Sequence, residues 1–210
     1  MKLRPYAGSA CLVLLAATLF PSGASASDPP TCAGRPATIV GTDGDDRIHG
    51  TSGPDVIVTG PGEDVVTAGR GDDFVCAGAG NDYITGGIGD DQLLGFGGKD
   101  TLIGERGKDD LRGGKGDDAP YTTAEGTPGG LLGGPGRDHI HGGGGNDYLH
   151  GGTDDDVLNG DGQDDKLYGR GGADILRGAG GRDLADGGSN TNDACTAERE
   201  RACEERDPRD

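Results

Sequence analysis

The sequence has no Trp, three Phe, five Tyr and one Met among its 210 residues. So few large apolar side chains leave an ordinary globular core with little to be made from. Basic residues are also scarce: 19 Lys and Arg stand against 37 Asp and Glu, for a formal net charge of −18. Nucleic acid and anionic lipid bind through clustered Lys and Arg, so neither is expected as a partner. Cations are the natural partners of such a chain. Catalytic signatures are missing too. There is no G-x-S-x-G, no H-E-x-x-H and no complete G-x-x-x-x-G-K-[ST], and no enzymatic activity is expected.

Long apolar runs are absent. Cys11 to Phe20 is too short to cross a bilayer, and no integral membrane segment is expected in the mature chain. Lys2 and Arg4 precede that run, Pro21 and Gly23 break it, and Ala24-Ser25-Ala26 forms an A-x-A cleavage signal. Residues 1–26 therefore read as a secretory signal peptide, and the mature chain is expected outside the cell.

Cysteine is sparse. Cys11 falls in the leader, leaving Cys32, Cys76, Cys195 and Cys203. An even count in an exported chain suggests two disulfides, with three pairings possible. The closeness of Cys195 to Cys203 favours that pair together with Cys32–Cys76. No C-x-x-C spacing points to zinc.

Glycine is what the chain has in excess, at 46 residues beside 11 Pro. Such a share marks disorder only when it lacks a period. Here the period is nine. From Gly41 the units GTDGDDRIH, GTSGPDVIV, TGPGEDVVT, AGRGDDFVC, AGAGNDYIT, GGIGDDQLL, GFGGKDTLI, GERGKDDLR and GGKGDDAPY run to Tyr121. After an interruption, TTAEGTPGGLL, six more run from Gly133 to Asp186: GGPGRDHIH, GGGGNDYLH, GGTDDDVLN, GDGQDDKLY, GRGGADILR and GAGGRDLAD. Position 6 is Asp in every unit. Position 8 is Ile, Val or Leu except at Pro120 and Ala185, and position 4 is Gly except at Asp154 and Gln163.

Each unit resembles G-G-x-G-x-D-x-U-x, the RTX or haemolysin-type calcium-binding repeat. The segment TCAGRPATIVGTDGDDRIHGT and the Cys195/Cys203-Glu204 tail also resemble the two ends of stand-alone, signal-bearing members of that group. The resemblance implies an all-β fold, a parallel β-roll (β-solenoid) with two repeats per coil and calcium ions held between stacked turns.

The residue chemistry is consistent with that implication. Glycine-rich turns bend sharply and aim carbonyls inward. Calcium takes six to eight oxygen ligands, mixing carboxylate and main-chain carbonyl. One turn supplies half a shell and the turn stacked on it supplies the rest. The candidate calcium ligands are Asp46, Asp55, Asp64, Asp73, Asp82, Asp91, Asp100, Asp109, Asp118, Asp138, Asp147, Asp156, Asp165, Asp174 and Asp183. With two units per coil, Asp46, Asp64, Asp82, Asp100 and Asp118 line one side of the first block. Asp55, Asp73, Asp91 and Asp109 line the other. One ion between successive same-side turns gives about seven ions in the first block and about four in the second. Asp154 and Gln163 are expected to weaken the sites around Asp156 and Asp165.

In each unit the last three residues form a short strand with one apolar side chain inward. One such side chain per nine residues does not offset the entropy of ordering the chain. The mature chain is therefore expected to be largely unfolded without calcium and to fold on binding it.

The organisation expected is a signal peptide at 1–26, an N-terminal cap at 27–40 and a nine-repeat block at 41–121. An interruption at 122–132 then separates a six-repeat block at 133–186 from a C-terminal cap and tail at 187–210. On one outer face Val56, Val58, Phe74, Cys76 and Leu94 are unusually apolar, and the segment from Ser27 to Val40 is expected to fold over them, stapled by Cys32–Cys76. The interruption is read as a linker between two rolls, with a loop in one continuous roll as the alternative.

His139, His141 and His150 read as surface histidines, because His141 and His150 end consecutive repeats that face opposite sheets. Asp45, Asp72, Asn81, Asp90, Asp117 and Asn146, at position 5, read as turn residues rather than ligands. An ice-binding surface would need a regular Thr ladder, which the mixed outward residues do not supply. The functional expectation is a secreted calcium-binding protein. The alternative is an extracellular adhesive or matrix protein that presents its rigid roll to a cell-surface or glycan partner.

Overall fold

The computed structural model describes residues 29–118, 130–189, 192–197 and 199–201. These contain strands and turns and no helix, so no helix among them is long and apolar enough to cross a membrane. The chain winds into a parallel β-roll. Successive strands alternate between two nine-stranded sheets, one running from Ile39–Val40 to Ala194–Thr196, the other from Arg47–His49 to Arg199–Arg201.

Two repeats complete one coil. Ile57 therefore pairs with Val75, and Val66 with Ile84. The position-8 side chains stack between the sheets as a single core. Ile57, Val66, Val75, Ile84, Leu93, Leu102, Leu111, Ile140, Leu149, Leu158, Leu167 and Leu176 are all fully buried. Ala185 is buried as well, so the small residue still fills its rung.

Most strands are longer than the three residues expected. Val56–Pro61 and Phe74–Ala79 each continue through positions 1 to 3 of the next unit. Parallel neighbours one coil away pair those main-chain groups, which would otherwise be buried without partners. Only positions 4 to 6 turn. At Gly80 φ is 138°, and a Cβ there would run into the Gly62 carbonyl of the coil below. Asp154 and Gln163 hold the same left-handed backbone, with φ 79° and 82°.

The expectation of two rolls joined by a linker is corrected. Leu102 and Ile103 pair with Leu131 and Leu132, and Asp110 to Arg112 pair with His139 to His141, so both sheets run through the interruption. The ninth unit is divided rather than followed by a spacer. Its turn ends at Asp118, and its apolar rung is Leu131, fully buried between Leu102 and Leu149. Pro120, assigned to that rung by contiguous counting, lies outside the described residues. The extra residues thus enter between positions 6 and 7, leaving the register of every later coil intact.

Both ends of the repeat region are corrected too. Ile39–Val40 is already a rung, paired with Ile57–Val58. At the other end Ala194-Cys195-Thr196 forms a further rung on Ile175-Leu176-Arg177. The N-terminal cap covers the outer face as expected. Thr31–Cys32 and Arg35–Pro36 form a small antiparallel pair. Cys32 is bonded to Cys76 and buried with Phe74, against Val56, Val58 and Leu94. The Arg35 guanidinium lies 3.5 Å from the Phe74 ring centroid, adding a cation–π contact. Cys195 is also disulfide-bonded. Cys203, the partner expected for it, lies outside the described residues, as does the leader at 1–26.

Candidate metal centre

The turns stack into two columns, one along each edge of the roll. In the first, the main-chain N–H of Asp46 donates to Oδ1 of Asp64, and the same bond links Asp64 to Asp82, Asp82 to Asp100 and Asp100 to Asp118. It crosses the interruption to Asp147 and continues to Asp165 and Asp183. In the second, Asp55, Asp73, Asp91 and Asp109 lead on to Asp138, Asp156 and Asp174. All fifteen aspartates singled out by the repeat stand in these ladders.

The second ladder has one more member. Asp174 N–H donates to Oδ1 of Asp193 at 3.0 Å. Nonapeptide counting missed this aspartate because its spacing from Asp174 is 19 residues, one more than the period. The signal that could have found it is Asp193-Ala194-Cys195, an Asp followed two residues later by an apolar residue.

From Asp64 and Asp73 onward each Oδ1 is thus satisfied by the coil before it. For thirteen of these fourteen aspartates the other oxygen is not. Oδ2 of Asp64, Asp73, Asp82, Asp91, Asp100, Asp109, Asp118, Asp138, Asp147, Asp156, Asp165, Asp174 and Asp193 is buried with no hydrogen-bond partner. A buried carboxylate oxygen without a partner is costly, and thirteen in register mark a shared function rather than a packing defect. The neighbourhood shows what fits. At Gly86, Gly95, Gly104 and Gly133, an added Cβ would meet Oδ2 of the unit's own aspartate and the main-chain carbonyl of the next coil. Carboxylate and carbonyl oxygens therefore face one small space, a donor set suited to a hard cation.

Burial raises the pKa of the ladder carboxyls from Asp73 to Asp174. It pushes Asp118 and Asp156 up to about 8, and Asp100, Asp109 and Asp165 up to about 7. The donated N–H opposes each shift, while neighbouring carboxylates in the column add to it. The stacked turns hold negative charge poorly unless something positive joins them.

Position 5 forms an outer ladder of its own. Oδ1 of Asp45, Asp72, Asn81, Asp90, Asp117 and Asn146 accepts the N–H of the residue one coil on. These side chains bind main chain, as turn chemistry requires. His141 and His150 lie in opposite sheets. His141 contacts Asp161 and Asn159, while Arg170 donates to His150. Among the described residues no three His, Cys, Asp or Glu side chains converge on one point. Any ion held here draws much of its shell from carbonyls.

A family model for the RTX calcium-binding nonapeptide repeat (4 copies) matches residues 40–75, 77–95, 94–119, 131–158, 150–185 and 159–192, well over half of the chain. No curated protein matches it.

Proposed function

This chain belongs to the RTX calcium-binding nonapeptide repeat family, whose repeats bind multiple calcium ions, and from that premise we propose that it is an extracellular protein whose roll folds as calcium enters its turns. The observation that carries this reading is the register of buried, unpartnered Oδ2 atoms from Asp64 to Asp193. The proposed ligands are those aspartates with the carbonyls that face them, one coil contributing with the next. Asp183 belongs to the same column through its bond from Asp165. Two ladders of eight aspartates give about seven intervals each, more than the two blocks suggested, because the columns cross the interruption and reach Asp193.

Calcium supplies positive charge and six to eight oxygen contacts where the protein offers no donor. In its absence the columns combine desolvated carboxylates with a core one residue wide, which favours the unfolded chain. Export is supported by the leader-like residues 1–26 and by the Cys32–Cys76 disulfide, a bond that persists in oxidising compartments. Equilibrium dialysis against calcium, with magnesium as control, tests the reading. Many calcium ions per chain are expected. Fewer than two, or equal uptake of magnesium, would contradict it.

A further inference from the structure

The first turn of each column is built unlike the turns that follow. From Gly60 and Gly62 onward, positions 2 and 4 take the left-handed backbone in turn after turn, even where they carry Phe96, Glu105 or Asp154. Thr42 and Gly44, and Thr51 and Gly53, do not. In the first turn the Thr42 N–H donates to Oδ2 of Asp46 at 2.6 Å. Thr42 Oγ1 lies 3.2 Å from both that Oδ2 and the Gly44 carbonyl, and accepts the Gly44 N–H at 3.3 Å. The second turn repeats the arrangement. Thr51 N–H donates to Oδ2 of Asp55 at 2.7 Å, and Thr51 Oγ1 lies 3.1 Å from the Gly53 carbonyl. Asp55 Oδ1 accepts the Thr38 hydroxyl as well.

Asp46 and Asp55 consequently differ from the aspartates stacked on them. Their Oδ2 atoms are committed to donors, whereas those of Asp64 and Asp73 are buried without one. A threonine at position 2 gathers the same kinds of oxygen, carboxylate and turn carbonyl, that a calcium ion would gather.

We propose that Thr42 and Thr51 are metal-replacing caps. They close the first turn of each ladder with hydrogen bonds, so the calcium ladders begin at Asp64 and Asp73 and the N-terminal coil needs no ion of its own. Each ladder then holds about six ions rather than about seven, one fewer for the capped interval. Solenoids require ends that do not recruit another unit, and a self-closed turn meets that need. This inference rests on the calcium reading above.

Paired substitutions in the full chain test it, read by equilibrium dialysis and by the calcium midpoint of folding. D46N/D55N is expected to keep the wild-type ion count, with a midpoint shifted less than about two-fold. D64N/D73N is expected to lose at least two ions. T42G/T51G, which restores position-2 glycine, is expected to gain about two ions, whereas T42S/T51S keeps the wild-type count. A loss of ions in D46N/D55N matching that in D64N/D73N would overturn the caps, and so would an unchanged count in T42G/T51G. Should T42G/T51G fail to fold, the aspartate pairs still decide. If wild type itself binds no calcium, the calcium reading falls instead.

Discussion

The main-chain N–H of Asp109 donates to Oδ1 of Asp138 at 2.8 Å, across 29 residues, just as Asp91 donates to Asp109 across 18. The longer step exceeds the shorter by 11, the number of residues from 119 to 129. An insertion of 11 residues has been accepted inside one repeat, and both the hydrogen-bond ladder and the apolar core resume beyond it in register. Loop closure costs grow slowly with length, which makes such an insertion tolerable.

Deleting residues 119–129 joins Asp118 to Gly130 and restores a uniform nonapeptide. The deletion is expected to fold in calcium with the same β-content and a thermal midpoint within a few degrees of wild type. Circular dichroism checks this. A deletion that no longer folds would show that the segment is needed to hold the two halves in register.

Leu131, not Pro120, supplies the rung of the ninth unit. Leu131→Ala is expected to cost about 2–5 kcal/mol of stability in calcium, as for other buried leucines, while Pro120→Ala has little effect. Denaturant unfolding at fixed calcium separates the two. The reverse order would return the rung to Pro120.

The nonapeptide register was legible because position 6 and position 8 recur with so few exceptions, and it divided the nine aspartates of the first block, Asp46 to Asp118, between two sides as the ladders do. The apolar outer face at Val56, Phe74 and Leu94 likewise announced its cover. Segmentation failed where a repeat ceased to be nine contiguous residues. Pro120 was counted into a rung because the eleven inserted residues follow Asp118 directly. Asp193 escaped because its unit has one residue too many. Ile39 was assigned to the cap because Ala37 stands where the aspartate would be. The sharing of each carboxylate, Oδ1 to main chain and Oδ2 to the turn interior, depends on coils meeting in space and leaves no trace in a linear pattern.

Residual structure in the metal-free chain is expected to depend on pH. The raised ladder carboxyls, such as Asp118 at about 8 against an ordinary 3.8, bind more protons in the folded metal-free roll than in the unfolded chain. Between about pH 4 and pH 8 the stability of the metal-free roll therefore falls as pH rises. Residual β-structure in EDTA is expected to increase as pH is lowered from 8 to 6, read by circular dichroism. Residual structure that decreases over that range would contradict the burial of these carboxyls in the roll.

The Cys32–Cys76 bond closes a loop with a sequence separation of 44. Replacing both cysteines with serine is expected to cost roughly 2–4 kcal/mol. The loss should fall first on the N-terminal coils, because the hairpin it releases covers Val56, Phe74 and Leu94. Hydrogen exchange at saturating calcium should show protection lost in residues 39–76 and retained beyond Leu131. Uniform loss along the roll would argue against a local staple.

The most direct test of the account is a far-ultraviolet circular dichroism titration of the chain prepared in EDTA, with calcium added stepwise and magnesium as control. The account predicts a largely disordered spectrum in EDTA and a cooperative transition to β-structure with calcium alone. Full β-structure in EDTA, unchanged by calcium, would contradict it.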